Sequence, residues 1–106
     1  MPLKDKLRET GSCPLCLSLA LVLGPLPTDE GAMRRVTCMS CGTYDIAEAV
    51  VTWLEHDTEG KRQARYVAHA SRRNERAGRR LQIYSVEAFM LIAWKEEGLQ
   101  DIGDVS

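Results

Sequence analysis

Two short cysteine pairs constrain what this chain can fold into more than any other feature of its sequence. Cys13 and Cys16 enclose two residues, and Cys38 and Cys41 enclose two more after a spacer of 21 residues. Two residues between cysteines allow a tight turn to direct both thiolates at one ion. Two such turns supply the four sulfur ligands of a tetrahedral structural zinc site. The sequence therefore predicts one zinc ion held by all four cysteines.

The residues between and after the pairs predict a β-hairpin. Leucines alternate with smaller residues over positions 17–23, as in a strand with one apolar face, although so short a run also suits a helical turn or two. Positions 24–31 contain two prolines and predict a loop, and positions 32–38 predict the return strand. A long loop absorbs a spacer slightly above the usual range of about 15 to 20 residues. Gly42, directly after the second pair, suits the positive φ that such a turn often requires, whereas Leu17 takes the equivalent place in the first turn.

Three other uses of the cysteines fit the sequence less well. Structural disulfides are typical of secreted proteins, yet residues 1–27 only superficially imitate a secretory signal, because Asp5 and Glu9 interrupt the basic stretch and no small-residue cleavage site follows. We therefore expect a cytoplasmic, reducing setting. A glutaredoxin-like redox motif normally opens a helix after a buried strand, whereas polar residues precede Cys13. A catalytic zinc site keeps one position open, which a fourth cysteine ligand closes.

Length and composition indicate one small domain without membrane or catalytic features. The chain has 106 residues with two tryptophans, three tyrosines and one phenylalanine, so a bound metal would add stability that a thin core lacks. The apolar run at 15–23 is about half the roughly 20 residues that a membrane span requires. The two histidines, His56 and His69, accompany no cleft of paired carboxylates and no Ser-His-Asp arrangement. We therefore expect neither membrane insertion nor enzymatic activity.

The second cysteine pair continues into a longer motif, Cys38-Met-Ser-Cys41-Gly-Thr-Tyr-Asp-Ile46. Together with Cys13-Pro-Leu-Cys16, it resembles the zinc-ribbon modules that open many small, poorly characterised bacterial and phage proteins, in which a C-G-x-Y-[DE]-I turn leads into a helix. The resemblance covers about a third of the chain, and the segment Ala-Ser-Arg-Arg-Asn-Glu at 70–75 is similar to an arginine-containing helix that follows in some of them. It implies zinc binding by the four cysteines and, as activity, binding of nucleic acid or protein.

A first helix is predicted directly after this motif. Asp45 and Glu48 have the spacing of a capping box, and the helix is expected to end near Asp57. Trp53 lies on its apolar stripe and is expected in the core. His56 is expected near the C-terminus, where its charged form would interact favourably with the helix dipole. The apolar stripe consists of Ile46, Val50, Trp53 and Leu54.

Residues 61–80 form the strongest charge feature of the sequence. They contain eight Lys and Arg and one acid, a net charge of +7, so the other 86 residues carry −8 of the total of −1. On a helix that advances about 100° per residue, most of these basic residues fall with His69 within an arc of about 120°. The candidate binding residues are Lys61, Arg62, Arg65, Arg72, Arg73, Arg76, Arg79 and Arg80.

A helix face that carries only positive charges requires an acidic partner, since basic residues at i,i+4 repel one another. Three sources fit: the phosphates of DNA or RNA, an acidic protein surface, or the acidic remainder of this chain. A basic stripe is the expected footprint of nucleic-acid binding, although charge alone does not choose the polyanion. We expect nucleic acid first, and the sequence does not separate DNA from RNA.

The C-terminal part predicts a short extended segment and a last helix. Gly78 suits the end of the basic helix, residues 81–84 are expected to be extended, and Ser85 is expected to cap a helix over 86–97 that Gly98 ends. Residues 100–106 are expected to fray. Burial of this helix within the domain is favoured over docking of a second chain. Its apolar face comprises Val86, Phe89, Met90, Ala93 and Trp94, widened by Leu91 and Ile92.

Taken together, the predicted fold is α+β, an N-terminal zinc-ribbon β-hairpin followed by about three α-helices. Residues 1–106 form a single domain, with the ribbon at 10–46, a helical extension at 47–98 and a frayed tail at 99–106. The predicted function is that of a non-enzymatic zinc-binding protein that binds nucleic acid or another polyanion through residues 61–80, and a regulatory role is compatible with it. The alternative is a protein-interaction or assembly module, with the ribbon as scaffold and the last helix as docking surface. The sequence does not indicate an oligomeric state.

Overall fold

A computed structural model describes residues 8–28 and 31–105 of the chain. Within this part, five strands form one sheet. Two of the three helices lie between the fourth and fifth strands in the sequence, and the third helix follows the fifth strand. The elements are β1 Arg8–Ser12, β2 Leu19–Thr28, β3 Gly31–Cys38, β4 Gly42–Ala47, α1 Glu48–His56, α2 Thr58–Arg76, β5 Leu81–Ile83 and α3 Val86–Val105. The predicted α+β class, with an N-terminal hairpin followed by helices, is confirmed. Residues 1–7, which include most of the signal-like basic stretch, lie outside the described residues.

The sheet has the strand order β1-β2-β3-β4-β5. Neighbouring strands are antiparallel except for the last pair, in which β5 runs parallel to β4 after the chain has passed through α1 and α2. The hairpin β2–β3 is longer than predicted, because the expected loop at 24–31 continues the pairing as far as Thr28 and Gly31. A register shift between Leu23 and Leu26 takes up Gly24, whose φ is +140°, and Pro25. Such an irregularity tolerates a proline, which cannot donate a ladder hydrogen bond.

The leucine-rich face of β2 points to solvent. Leu19 and Leu21 are exposed, as is Leu17 just before the strand, whereas Ala20 is buried on the other face. That other face packs against the helices and supplies Val36 of β3 to the core. The predicted alternation of the strand is therefore present, with its small residues toward the core and three of its leucines outside.

The predicted capping box at Asp45 and Glu48 is wrong. Asp45 lies in β4, and α1 begins at Glu48 after Ala47, which has extended dihedral angles and makes no side-chain cap. Asp45 instead accepts a hydrogen bond from Arg35 Nε at 3.0 Å, and Glu48 accepts one from Arg34 Nε at 2.8 Å. Pairing of β4 on both edges, with β3 and β5, gains more than one helix cap, which is worth about 1 kcal/mol.

The core lies between the inner face of the sheet and the three helices. Trp53 packs against it half-buried, with its ring edge-to-face on Phe89 at a centroid distance of 5.3 Å. The described helices include none that is long and apolar enough to cross a membrane. The largest fully buried apolar side chains are Tyr44, Phe89, Ile46, Ile83, Val36, Val50 and Val67.

Helix α2 begins three residues before the predicted basic segment, and the residues after the helix follow the prediction. The Asp57 side chain caps the helix by accepting a hydrogen bond from the backbone N–H of Gly60 at 2.7 Å. Gly78, just past the helix end, has a φ of +75°, as a C-terminal glycine should. Strand β5 is extended as expected, and the Ser85 hydroxyl accepts the backbone N–H of Ala88 at 3.1 Å, as an N-cap.

Helix α3 differs from its prediction in length and in the direction of one large side chain. It continues through Gly98 to Val105, so the expected end at Gly98 is wrong and most of the expected frayed tail is helical; Ser106 lies outside the described residues. Phe89, Ala93 and Glu96 define the buried line at i, i+4 and i+7. Trp94 is turned about 100° from Ala93 and is 55% exposed, which contradicts its predicted place on the buried face.

Replacing Gly60 with alanine should destabilise the fold by about 1–2 kcal/mol, because overpacking outweighs the better helix propensity of alanine. A Cβ atom at Gly60 would lie 2.7 Å from Cη2 of Trp53. The matched control is Gly98→Ala, where a Cβ atom would meet nothing within 4 Å and should stabilise by about 0.5–1 kcal/mol. Chemical unfolding of the metal-loaded protein measures both. Equal effects of the two substitutions would contradict the close contact with Trp53.

Candidate metal centre

The two cysteine turns share a positive φ at the residue that directly follows the second cysteine. In the first turn, the backbone N–H of Leu17 donates to the carbonyl of Cys13 at 2.7 Å, and that of Cys13 donates to the carbonyl of Ser18 at 2.7 Å. Leu17 then takes a φ of +65°, and Gly42 at the equivalent place of the second turn takes a φ of +83°. The positive φ predicted for Gly42 is confirmed. The first turn requires the same conformation from a residue with a side chain.

Replacing Leu17 with glycine should therefore stabilise the protein by about 0.5–1 kcal/mol. A left-handed conformation costs about 1–2 kcal/mol for a residue with a Cβ atom, and the greater freedom of glycine in the unfolded chain offsets part of the gain. Leu17 is 78% exposed, so little packing is lost. Leu19→Gly is the control, because Leu19 is 74% exposed in a regular strand and the same change should destabilise there. If both substitutions lower the stability by similar amounts, Leu17 carries no backbone strain in the first turn.

The four cysteine sulfurs form a compact cluster. All Sγ atoms lie within 4.8 Å of one another, with 3.8 Å between Cys13 and Cys41 and 3.5 Å between Cys16 and Cys38. These distances are too long for a disulfide, whose S–S length is about 2.0 Å. Tetrahedral zinc with Zn–S bonds of about 2.3 Å separates its ligands by about 3.8 Å. The cysteines are thus positioned to bind one metal ion, and their chemistry and spacing fit zinc.

Tyr44 lies beside this cluster, although no role was predicted for it. Its hydroxyl group lies 3.0 Å from Sγ of Cys13, and both side chains are fully buried. Hydrogen bonding with Cys41 lowers the pKa of Cys13 to about 4, against the effect of burial and with a further contribution from Tyr44. Burial, followed by the charge of Cys13, raises the pKa of Tyr44. The contact with Cys13, followed by burial, raises the pKa of Cys41 far above its usual value.

Helix α2 packs directly on the second cysteine turn. The buried hydroxyl of Ser71 donates to the carbonyl of Cys41 at 2.6 Å, and Arg72 Nη1 donates to the carbonyl of Ser40 at 3.3 Å. A Cβ atom at Gly42 would lie 3.0 Å from Cβ of Glu75, so glycine also permits this close approach. Ser71 was missed by the sequence analysis, because one serine on a helix carries no signal of its long-range partner.

The predicted basic residues lie along α2 and just after it, and the protein's own acids neutralise three of them. Arg62 pairs with Glu59, Arg73 Nη1 lies 2.7 Å from Glu96 Oε1, and Arg80 Nη1 lies 3.6 Å from Asp45 Oδ2. The acidic remainder of the chain therefore supplies part of the expected counter-charge. Among the side chains that the structure describes, those of residues 10–24 and 32–99, no carboxylate lies within 4.0 Å of the other five. These five, called the basic surface below, are Lys61, Arg65, Arg72, Arg76 and Arg79.

The basic surface is mostly accessible. Lys61, Arg65, Arg76 and Arg79 are exposed, and Arg72 is half-buried against the second cysteine turn. The Arg65 guanidinium lies 4.8 Å from the centroid of the Tyr66 ring, and its Nη2 also donates to the Tyr66 hydroxyl at 2.9 Å. The exposed side chains are free to meet an anion, while Arg72 also has a role in the fold.

The histidines lie apart from the sulfur cluster. His56 ends α1, as predicted, and His69 contacts Arg72 Nη2 through Nδ1 at 2.6 Å. In the part of the chain that the structure describes, the residues grouped at metal-binding distance are the four cysteines. This geometry is consistent with a zinc-binding module.

Comparisons of the chain with known protein families, with curated proteins and with solved structures find no match. The case for metal binding therefore depends on the geometry of the four cysteines.

Proposed function

We propose that the chain is a non-enzymatic zinc protein of the zinc-ribbon type that binds nucleic acid through the basic surface. The observation that carries the metal assignment is the cluster of four Sγ atoms within 4.8 Å of one another. Thiolates are soft ligands that prefer zinc to hard cations such as magnesium. The hairpin β2–β3, with one cysteine turn before its first strand and one after its second, supports the ribbon type.

The ligand set supports a structural role for the metal. Four protein thiolates complete a tetrahedral shell and leave no position for water or substrate, whereas catalytic zinc commonly keeps one. The metal would join the turn before β2 to the turn between β3 and β4. A reducing, cytoplasmic setting is part of the proposal, because the cysteines must stay reduced to hold zinc.

The shape of the basic surface supports a nucleic-acid partner. Lys61, Arg65, Arg72 and Arg76 fall within an arc of about 60° on α2 and extend over about 22 Å, given 1.5 Å per residue. Duplex DNA carries one phosphate charge for about every 1.7 Å of its axis, so a row of this length meets several phosphates. The opposite side of α2 is used by the core through residues such as Val67.

Metal content tests the first part of the proposal. We expect one zinc ion per chain in protein purified without chelator, together with four free thiols after the metal is released under denaturing conditions. Elemental analysis and thiol titration on one sample measure both numbers. Metal-free protein with two disulfides would contradict the zinc assignment, and reversible dithiol cycling of Cys13 and Cys16 without metal would favour a redox role instead.

The salt dependence of binding tests the second part. Five phosphate contacts predict a slope of about −4.5 when the logarithm of the association constant for duplex DNA is plotted against the logarithm of salt concentration. Fluorescence anisotropy with duplex DNA, single-stranded DNA and RNA of the same length gives this slope and the preferred partner. Absent binding, or binding independent of salt, would contradict the proposal.

A protein-interaction or assembly module is the second candidate, and α3 carries the observation that favours it. Leu91 and Trp94 are 63% and 55% exposed and lie next to each other at i, i+3. Neighbouring exposed apolar side chains are the kind of surface through which a second chain can dock. Measurement of the solution mass for the wild type and for Trp94→Ser tests self-association. A monomer at all concentrations would exclude assembly through this pair.

A further inference from the structure

A cavity of about 440 Å³ lies between the first cysteine turn, the inner face of the sheet and the helices α1 and α2. Its buried lining is apolar and includes Leu15, Val36, Leu54 and Ala64. Its volume falls within the range of about 300–1,000 Å³ that is typical of small-molecule sites. Neither the proposed zinc binding by the cysteines nor the proposed nucleic-acid binding by the basic surface requires this cavity.

The lining is apolar at depth and charged at the mouth. Lys61 and Glu55 are exposed residues of the lining, and Arg34 is half-buried there. Arg34 donates its Nε to Glu48 at 2.8 Å, which leaves the N–H groups of its two Nη atoms for another acceptor. Among the described side chains of residues 10–24 and 32–99, Lys61 has no carboxylate within 4.0 Å, and Glu55 has no basic group within that distance. The charged part of the lining thus consists of two cations, Lys61 and Arg34, and one carboxylate.

This arrangement selects among ligands by their polarity. A polar ligand would lose its hydrogen bonds with water at the apolar end of the cavity and find few partners there. An aliphatic chain gains by burial, about 0.8 kcal/mol for each methylene group. A single anionic group at the other end of the ligand can remain at the mouth, beside Lys61 and Arg34.

We propose that the cavity binds a small aliphatic carboxylate, with its hydrocarbon chain between the sheet and α1 and its carboxylate at Lys61 and Arg34. The site is separate from the metal centre in its chemistry, although Cys13 contributes to its wall. It is also separate from nucleic-acid recognition, apart from the shared Lys61. The ligand class follows from an apolar interior that ends at two cations.

Titration of the zinc-loaded chain with saturated carboxylates of six to twelve carbons tests the site without nucleic acid. Isothermal calorimetry should show saturable binding that tightens about fourfold for each added methylene until the cavity is full, and then no further. Decanamide should bind about three- to fivefold more weakly than decanoate, because it lacks the charge. Lys61→Gln should remove most of this difference, and Glu55→Gln should increase it.

Filling the cavity distinguishes it from other apolar surfaces. Val51 lines the cavity from α1, so Val51→Phe should weaken decanoate binding at least tenfold while zinc content stays at one per chain. Leu19→Phe is the matched control, since Leu19 is exposed on the outer face of the sheet and does not line the cavity, and it should leave the affinity unchanged. Absent binding, equal affinity for decanoate and decanamide, or equal decanoate affinities of the two phenylalanine variants would overturn the proposal. If Val51→Phe loses zinc, it no longer tests the cavity. The proposal then fails unless Lys61→Gln reduces the affinity difference between decanoate and decanamide and Glu55→Gln increases it.

Discussion

Replacement of Cys41 by serine should abolish zinc binding and the cooperative thermal unfolding transition of the protein. Cys41 is fully buried, and its Sγ lies 3.8 Å from that of Cys13 in the cluster. Apparent zinc-site free energies of about 10–16 kcal/mol compare with total domain stabilities of about 5–15 kcal/mol, so the metal decides whether this part of the chain folds. Elemental analysis and thermal unfolding followed by circular dichroism measure the two losses.

Met39→Ser is the matched control for this experiment. Met39 lies in the same turn, between the two ligands, and its side chain is fully exposed. Its replacement should leave zinc content at one per chain and change the melting temperature by only a few degrees, as for most surface substitutions. A Cys41→Ser protein that retained one zinc and the wild-type melting temperature would show that the cysteine cluster is not the metal site.

Reversal of charge at Arg65 and Arg76 should weaken nucleic-acid binding by at least about 100-fold near 0.1 M salt, because each lost phosphate contact is worth about tenfold there. The salt slope should fall in magnitude from about 4.5 to about 2.7. Both side chains are exposed members of the basic surface. Arg72 is less suitable, because it also donates to the carbonyl of Ser40 and its loss would disturb the packing of α2.

A single reversal elsewhere controls for the change in net charge. Lys95 is exposed on α3, away from the basic surface in sequence and on a different helix. Lys95→Glu should weaken binding far less than Arg76→Glu, with both measured by anisotropy at the same salt concentration. If the two single variants lose affinity equally, binding depends on net charge and the basic surface of α2 has no special role.

The local chemistry of the metal centre could be predicted from the sequence, because it depends on spacing along the chain. Two residues between cysteines fix a tight turn, and a glycine at position 42 indicates the positive φ that the second turn requires. In the first turn, Leu17 also has a positive φ. The turn therefore imposes this conformation even on a residue with a side chain. The helix that carries the basic residues could also be predicted from its charge pattern and from Gly78, whereas its start at Thr58 and its cap, Asp57, were not expected.

Features that depend on pairing between distant segments could not be predicted in this way. Asp45 and Glu48 have a correct local spacing for a helix cap, yet the partners on β3 and β5 draw Asp45 into the sheet. β1 contains no alternating apolar residues and is recognisable only from its pairing with β2. The contact between Ser71 and Cys41 spans 30 residues and has no sequence signature.

The hydrogen bond from Ser71 to the carbonyl of Cys41 also has a thermodynamic consequence. One helix contacts the second cysteine turn and carries the basic surface, so the proposed binding of zinc and the proposed binding of nucleic acid would each change the free energy of the other. Such coupling is reciprocal: if zinc strengthens nucleic-acid binding by some factor, nucleic acid must lower the dissociation constant of zinc by the same factor. A chelator competing for the metal would then require a higher concentration in the presence of DNA, and the ratio of the two concentrations would give the coupling directly.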